Sequence, residues 1–479
     1  MGLIILLPAV VCWAVLAMGS VRKALLNVYL PTLLLLPQYY SVRLTHLPSL
    51  TFSDAAIVPL GVALLMKEMR HWRWAWMDLW VALFAASVGL SQGLSTQLAN
   101  GEWVNLFTAD AVASHTLGTN LADGALMFFA RILEMILPYM AGKLLIERKD
   151  GEGQLLRHKL VKRMAALLAV VGAISVYDFV SGGSIWQKVG GRVFPNQFVG
   201  WPPQMRWGFG RIAGPYGHAI LAGMIFLMGL IYCLWLRRTD PGWGSRKLMS
   251  GLPVTVRGLI LTAIVAGLLM TQSRGPWVGV ALALVFALLT RVLLVGKAAV
   301  LFVALVAGTS VVAYHFGKQY TEQDLTRVGT EEQRSAIYRR QLLINYAPIV
   351  MQRKAFGWGV TTFPEVMGQR SIDNQYLLLA VTQGFLGLGL FLAIAGGTAG
   401  RLLRLIAKPL AEEDRLLVFA HLAVLIGLLT SLATVYMGEQ VVMMFFLYVG
   451  WVQGMNPKPA SVETTNGVGG RYGFRQVLV

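Results

Sequence analysis

The stretch Leu377-Leu378-Leu379-Ala380-Val381-Thr382-Gln383-Gly384-Phe385-Leu386-Gly387-Leu388-Gly389-Leu390-Phe391-Leu392-Ala393-Ile394 carries no charged side chain. A helix needs about 20 predominantly apolar residues to cross the hydrocarbon core of a bilayer, and this run comes close. It is not alone: Val254–Met270, Trp277–Leu289 and Leu416–Leu432 carry one charge at most. The chain of 479 residues is 56% hydrophobic and 13% charged, about half the charge of an ordinary water-soluble domain. In lipid each such run must satisfy its own backbone, which helices do. The expected fold is all-α, a polytopic membrane protein with about 12 to 13 transmembrane helices.

Working outward, the basic residues fall between the apolar runs in alternation. Arg22 and Lys23, then Lys67, Arg70 and Arg73, then Lys143 through Arg163 follow alternate runs. Arg237, Arg238, Arg246 and Lys247, then Arg291 and Lys297, then Arg401, Arg404, Lys408 and Arg415 continue the series. Such residues mark cytoplasmic loops, which puts the N-terminus outside. The spans expected on this basis are 2–19, 24–41, 54–66, 77–92, 126–142, 164–180, 218–236, 254–271, 276–291, 298–315, 376–397, 416–434 and 439–454. Span 54–66 is short, which suits a tilted or re-entrant segment. Leu3 to Met18 has neither a basic lead nor a small-residue cleavage site, and is expected as a retained helix. Residues 1–455 thus form a transmembrane domain, and the Gly-, Ser- and Thr-rich residues 456–479 are expected as a disordered cytoplasmic tail. The net charge of +18 is accounted for by loop residues that orient the helices, so nucleic acid is not an expected partner. Cys12 and Cys233 stand in apolar runs, without metal-ligand spacing.

Three outer connections are large: 91–125, 181–217 and 316–375. The second carries Lys188, Arg192, Arg206 and Arg211 without any acidic residue. The third holds the densest Arg and Lys cluster on the side where the topology rule makes them scarce, which suggests an anionic ligand. Within it 331–352 reads as helical, with Ile337, Leu342, Ile344, Ile349 and Val350 apolar. Such a helix can lie on the bilayer surface, and Pro348 is expected to kink or interrupt it. A continuous helix would set Arg339 and Arg353 near one face.

Arg211 sits in a glycine-rich run that leads into an apolar helix at His218. Glycines permit close backbone approach, helix N-termini offer free N–H groups, and a guanidinium forks onto phosphate oxygens; contact with lipid headgroups is the plainer alternative. Arg274, in Ser273-Arg274-Gly275, would be fixed by a tight hairpin or would snorkel. Asp373, before Asn374, Gln375 and Tyr376, is either a general base for a hydroxyl or a helix cap. Arg339 and Arg340, like Arg353 and Lys354, form a basic pair on the helical stretch, which could also be a solvated or headgroup-facing stripe, and Arg131 and Glu134 can pair on one helix face. No Walker lysine loop or zinc-protease motif is present. The expected site binds no metal and uses no cofactor.

In order and spacing, Arg211-Ile212-Ala213-Gly214-Pro215-Tyr216, Ser273-Arg274-Gly275, Gly357-Trp358-Gly359 and Asp373-Asn374-Gln375-Tyr376-Leu377 resemble the O-antigen ligase and polymerase superfamily. The resemblance covers roughly Phe194 to Thr434. It implies a glycosyltransferase C-like fold in a bacterial inner membrane, with the active site facing the periplasm. It implies an undecaprenyl-diphosphate-linked oligosaccharide as donor, a glycan acceptor, and a chain-length regulator as a possible partner. Arg211 and Arg274 would then stabilise the departing diphosphate, and Asp373 would act on the acceptor hydroxyl. Arg206, His218, Arg339, Arg340, Asn374 and Tyr376 would bind substrate. Ligases of this kind place a histidine before the asparagine. Asp373 in that position points instead to a polysaccharide polymerase, with a ligase as the alternative within the class. A transporter or flippase of lipid-linked saccharide is the rival from another class.

Overall fold

The structure, a computed structural model, describes residues 2–45, 47–98, 113–114, 121–148, 156–197, 204–248, 253–292, 296–297, 300–301, 303–304, 331–366, 368–369 and 371–456. Most of the expected span 298–315, much of the large outer connections, Arg370 and the tail beyond 456 lie outside them. Among the described residues, 6 helices are long and apolar enough to cross a membrane: Trp76–Leu94, Ala122–Leu145, Leu156–Ser181, Ala219–Thr239, Gln375–Ile406 and Glu412–Leu432. Gly2–Met18, Val256–Met270 and Arg274–Leu289 are apolar but shorter. The protein is therefore a polytopic, mostly helical membrane protein.

Ala219–Thr239 is the innermost of the long helices, with 94% of its apolar window buried. Close packing elsewhere relies on small residues, as it must where lipid offers no hydrophobic drive. A Cβ on Gly142 would meet Leu447 O at 2.2 Å, and one on Gly450 would meet Tyr139 O at 2.0 Å. Charge also ties the helices. Arg157, 4% exposed at its side chain, pairs with Glu147 at 3.3 Å, with Asp414 at 2.7 Å and with Glu413. Lys143 pairs with Asp78 at 2.6 Å, and Arg131 pairs with Glu134 as their spacing suggests.

The segment expected as one span, 24–41, is built in pieces: α-helix Val21–Ala24, a π-turn Leu25–Tyr29 and α-helix Leu30–Leu35. A second π-turn, Ile132–Ile136, interrupts the Ala122–Leu145 rod. Each π-turn runs into a proline, Pro31 or Pro138. The missing N–H and the ring's clash with the preceding turn explain the local widening. Phe52–Lys67 is a regular helix opened by a Thr51–Asp54 capping box, and most of its side chains are buried.

One face of helix Glu331–Gln352 packs against protein. Leu342, Tyr346, Ile349 and Val350 form a small core of their own with Trp358, Val366, Ile372, Leu377, Ala380 and Val381. Ile337 is buried as expected, but Ile344 is 50% exposed, which corrects its place on the apolar face. Pro348 stands inside the helix without ending it.

This outer unit is spliced into the long helix Gln375–Ile406. Gly384 (φ 66, ψ −167) breaks that helix, and the Gly357-Trp358-Gly359 turn fills the gap. Trp358 N donates to Val381 O at 2.9 Å and Gly359 N to Thr382 O at 2.9 Å. On the other side of the break, Phe385 N donates to Lys354 O at 2.7 Å and Leu386 N to Ala355 O at 3.2 Å. The carbonyls of Val381 and Thr382 and the N–H groups of Phe385 and Leu386 thus find partners in the loop, as an apolar surrounding demands. Gln383 is fixed by Ser87 Oγ, which donates to its Oε1 at 2.9 Å.

Candidate functional site

Residues 205–210 form a two-stranded hairpin, Met205–Arg206 against Phe209–Gly210. Its two turn residues, Trp207 (φ 51) and Gly208 (φ 80), are both left-handed, the geometry a two-residue hairpin needs. The hairpin presents Arg206 and Arg211 to the tight turn Thr271-Gln272-Ser273 that precedes Arg274. Gln272 is also left-handed there (φ 48). Arg206 Nη1 donates to Gln272 O. Arg211 Nε donates to Thr271 O at 3.2 Å and Nη2 to Ser273 Oγ at 2.9 Å. Arg211 Nη1 donates to Gln204 Oε1. The two arginines are thus held by hydrogen bonds before any ligand arrives.

Arg274 opens helix Arg274–Val292. Arg206, Arg211, Arg274 and Arg339 line one cavity of about 650 Å³, together with His218 and Asp373. Among its lining residues Asp373 is the single carboxylate. The electrostatics follow from this crowding. Burial, then repulsion from Arg206 and Arg339, lowers the Arg211 guanidinium to about 10, while Asp373 opposes the shift. Arg339 is lowered by burial and by Arg274, again opposed by Asp373. Burial raises the Asp373 carboxyl, and the Ser371 hydroxyl, Arg339 and Arg211 pull it back. Ser371 Oγ donates to Asp373 Oδ1 at 2.7 Å. Tyr338 Oη donates to Ser371 O at 2.7 Å, which ties the Arg339 helix to the Asp373 turn.

The helix cap is Asn374, whose side chain accepts from Leu377 N at 3.1 Å. Asp373 is therefore not the cap, and Asn374 serves structure. Tyr376 also stands outside the cavity lining, with its hydroxyl donating to Leu429 O at 2.8 Å. Arg340 does not line the cavity, although its neighbour Arg339 does. Arg353 does not share the Arg339 site: its guanidinium lies 3.9 Å from the Trp358 ring centroid. His218 is both cap and wall. Its Nδ1 accepts from Ile220 N at 3.2 Å, so the ring proton sits on Nε2. Burial and Arg211 lower its pKa to about 4, which leaves it neutral at neutral pH. Sequence reasoning missed Gln204 and Gln272, whose roles are set by backbone geometry rather than by type, and it missed Asp178, which closes a neighbouring cleft.

A cleft with four guanidiniums facing one carboxylate, at the end of membrane helices, is suited to a polyanion carried by a lipid. Residues 258–392 match the family model described as O-Antigen ligase. That region contains Arg274, Arg339, Gly357, Asp373 and Asn374; Arg206, Arg211 and His218 precede it. Over that region the chain is similar to the O-antigen ligase family. A search of curated proteins finds no match.

Proposed function

We propose that the protein transfers a glycan from an undecaprenyl-diphosphate carrier to a hydroxyl acceptor, at the periplasmic face of a bacterial inner membrane and without a metal. The observation that carries the proposal is the single cavity shared by Arg206, Arg211, Arg274, Arg339 and Asp373. The arginines hold the diphosphate and stabilise the charge that develops as it leaves. The acceptor oxygen bonds to the anomeric carbon as the carbon–oxygen bond to phosphate breaks. The bonding pair departs with the diphosphate, and the hydroxyl proton passes to Asp373. Inversion is the expected outcome of this single displacement, since Asp373 alone supplies a carboxylate there. Positive charge that a metal supplies in other phosphate chemistry is provided here by guanidinium groups.

The matched description, O-Antigen ligase, favours transfer of a finished glycan to a lipid or protein acceptor. Polymerisation is the second reading, favoured by Asp373 at the place where ligases carry histidine. The test is purified protein in detergent, supplied with lipid-linked oligosaccharide and no closed compartment. A single mass shift of an added acceptor supports ligation and a ladder supports polymerisation. Substrate turnover that appears only across a sealed membrane, with no new glycosidic bond, would sink the enzyme reading in favour of a transporter.

A further inference from the structure

Beside the arginine cleft lies a second, smaller one of about 60 Å³ with a different chemistry. Its polar lining includes Tyr39, Asp178, Gln187, Gln204, Arg211 and His218. The last three also line the larger cleft, so the two spaces share a wall. Among its lining residues one carboxylate faces one guanidinium, and Lys188 also acts on that carboxylate, whereas the larger cleft has four guanidiniums to one carboxylate. Asp178 is 3% exposed. Its Oδ1 accepts from Ile185 N at 3.0 Å, and its Oδ2 has no hydrogen-bond partner among the described residues. The buried Tyr39 hydroxyl is likewise unpartnered among them. Buried polar atoms left in this condition are rare, and a ligand that meets them gains the hydrogen bonds that the fold leaves open.

Neutral sugars are recognised by such a set: a carboxylate oxygen to accept from a hydroxyl, amides that both donate and accept, and a hydroxyl that does either. The neutral His218 ring, with its proton on Nε2, adds a donor without adding charge. The small volume admits the hydroxyl-bearing edge of one ring and leaves the rest of the glycan outside. We propose that the Asp178 cleft is an acceptor subsite that grips an uncharged sugar by its hydroxyl groups, next to the diphosphate held in the arginine cleft. This rests on the proposed function above, because it is the shared wall that brings acceptor and donor together. Asp178 and Gln187 are positioning residues here, and the reacting hydroxyl belongs to the sugar they hold.

The test separates the two clefts with two probes. One is undecaprenyl diphosphate. The other is the carrier-free oligosaccharide released by mild acid from lipid-linked intermediates of the producing cells. Both are titrated into the full-length protein in detergent, as wild type, Asp178→Asn and Gln187→Leu. Asparagine retains an acceptor for Ile185 N, so the helix start survives while the charge is lost; Gln187→Leu provides the answer where Asp178→Asn fails to fold. We expect each variant to bind the oligosaccharide about ten- to a hundredfold more weakly and undecaprenyl diphosphate as wild type does. Oligosaccharide binding that is absent in the wild type, or unchanged in both variants, overturns the subsite. Failure of the wild type to bind undecaprenyl diphosphate overturns the proposed donor instead, and the oligosaccharide titration still decides the Asp178 cleft.

Discussion

Replacing Gly384 with alanine tests whether the outer unit is spliced into the membrane helix as described. The backbone there (φ 66, ψ −167) lies in a region that is essentially restricted to glycine. Holding alanine there costs about 1–3 kcal/mol. An added Cβ would also stand 2.4 Å from Ala355 O and 2.5 Å from Ala355 C. These are backbone atoms whose neighbours bond across the break, so they cannot yield as a flexible side chain would. Overpacking of this kind adds about 1–3 kcal/mol, for a total of roughly 2–6 kcal/mol. Gly389 on the same helix is the control, since an added Cβ there meets nothing within 4 Å. Gly389→Ala is expected to be neutral, or stabilising by up to about 1 kcal/mol from helix propensity. Thermal unfolding in detergent, followed by tryptophan fluorescence because Trp358 sits in the splice, compares the two. Gly384→Ala should melt several degrees below the wild type, and Gly389→Ala at or above it. Equal melting of the two variants would refute the splice.

Arg211→Ala and Arg274→Ala should each lower kcat for glycan transfer by about 10²–10³-fold at normal expression; full activity in both would remove the leaving-group role. Asp373→Asn should lower kcat/KM by about 10²–10⁴-fold. In the wild type a base works only when ionised, so the rate should climb with pH through an apparent pKa above the ordinary 3.8, and Asp373→Asn should lose that limb. Arg157→Met leaves Glu147, Glu413 and Asp414 without their shared counter-charge. It should destabilise by about 3–5 kcal/mol, read as a lowered melting temperature with the substrate KM of the surviving folded protein unchanged.

Hydrophobic periodicity made most of the helices legible, because a span through lipid has one dominant requirement and it acts on every residue. The exceptions are informative. The π-turns before Pro31 and Pro138 depend on how a helix absorbs a missing donor, which the apolar pattern does not register. The break at Gly384 lies inside an apolar run with no charged residue, and composition alone reads straight through it. Only the approach of Gly357 and Ala355 to that backbone gives the glycine its purpose. For the site, residue type was informative wherever charge was: Arg206, Arg211, Arg274, Arg339 and Asp373 stand out because charge at a membrane boundary demands a partner. Arg340 and Arg353 carry the same charge and yet stand outside the cavity, because helix phase and the Trp358 ring decide where they point.

The arrangement of the arginines follows from how little each part can move alone. Arg206 and Arg211 are tied to the carbonyls and hydroxyl of the 271–273 turn, and Arg274 continues directly from that turn. They form one body. Arg339 and Asp373 form another. Tyr338 and Ser371 join them at one end, and the Gly357–Gly384 splice anchors the same unit at the other. The cleft lies between these two bodies, so its width is set by how the outer unit sits on the long helix. Burial lowers the proton affinities of Arg211 and Arg339, and repulsion from neighbouring guanidiniums adds to it. A fold that holds them together in spite of this stores an attraction for anions. On the proposed function, a dianionic diphosphate that bridges the two bodies would relieve that repulsion.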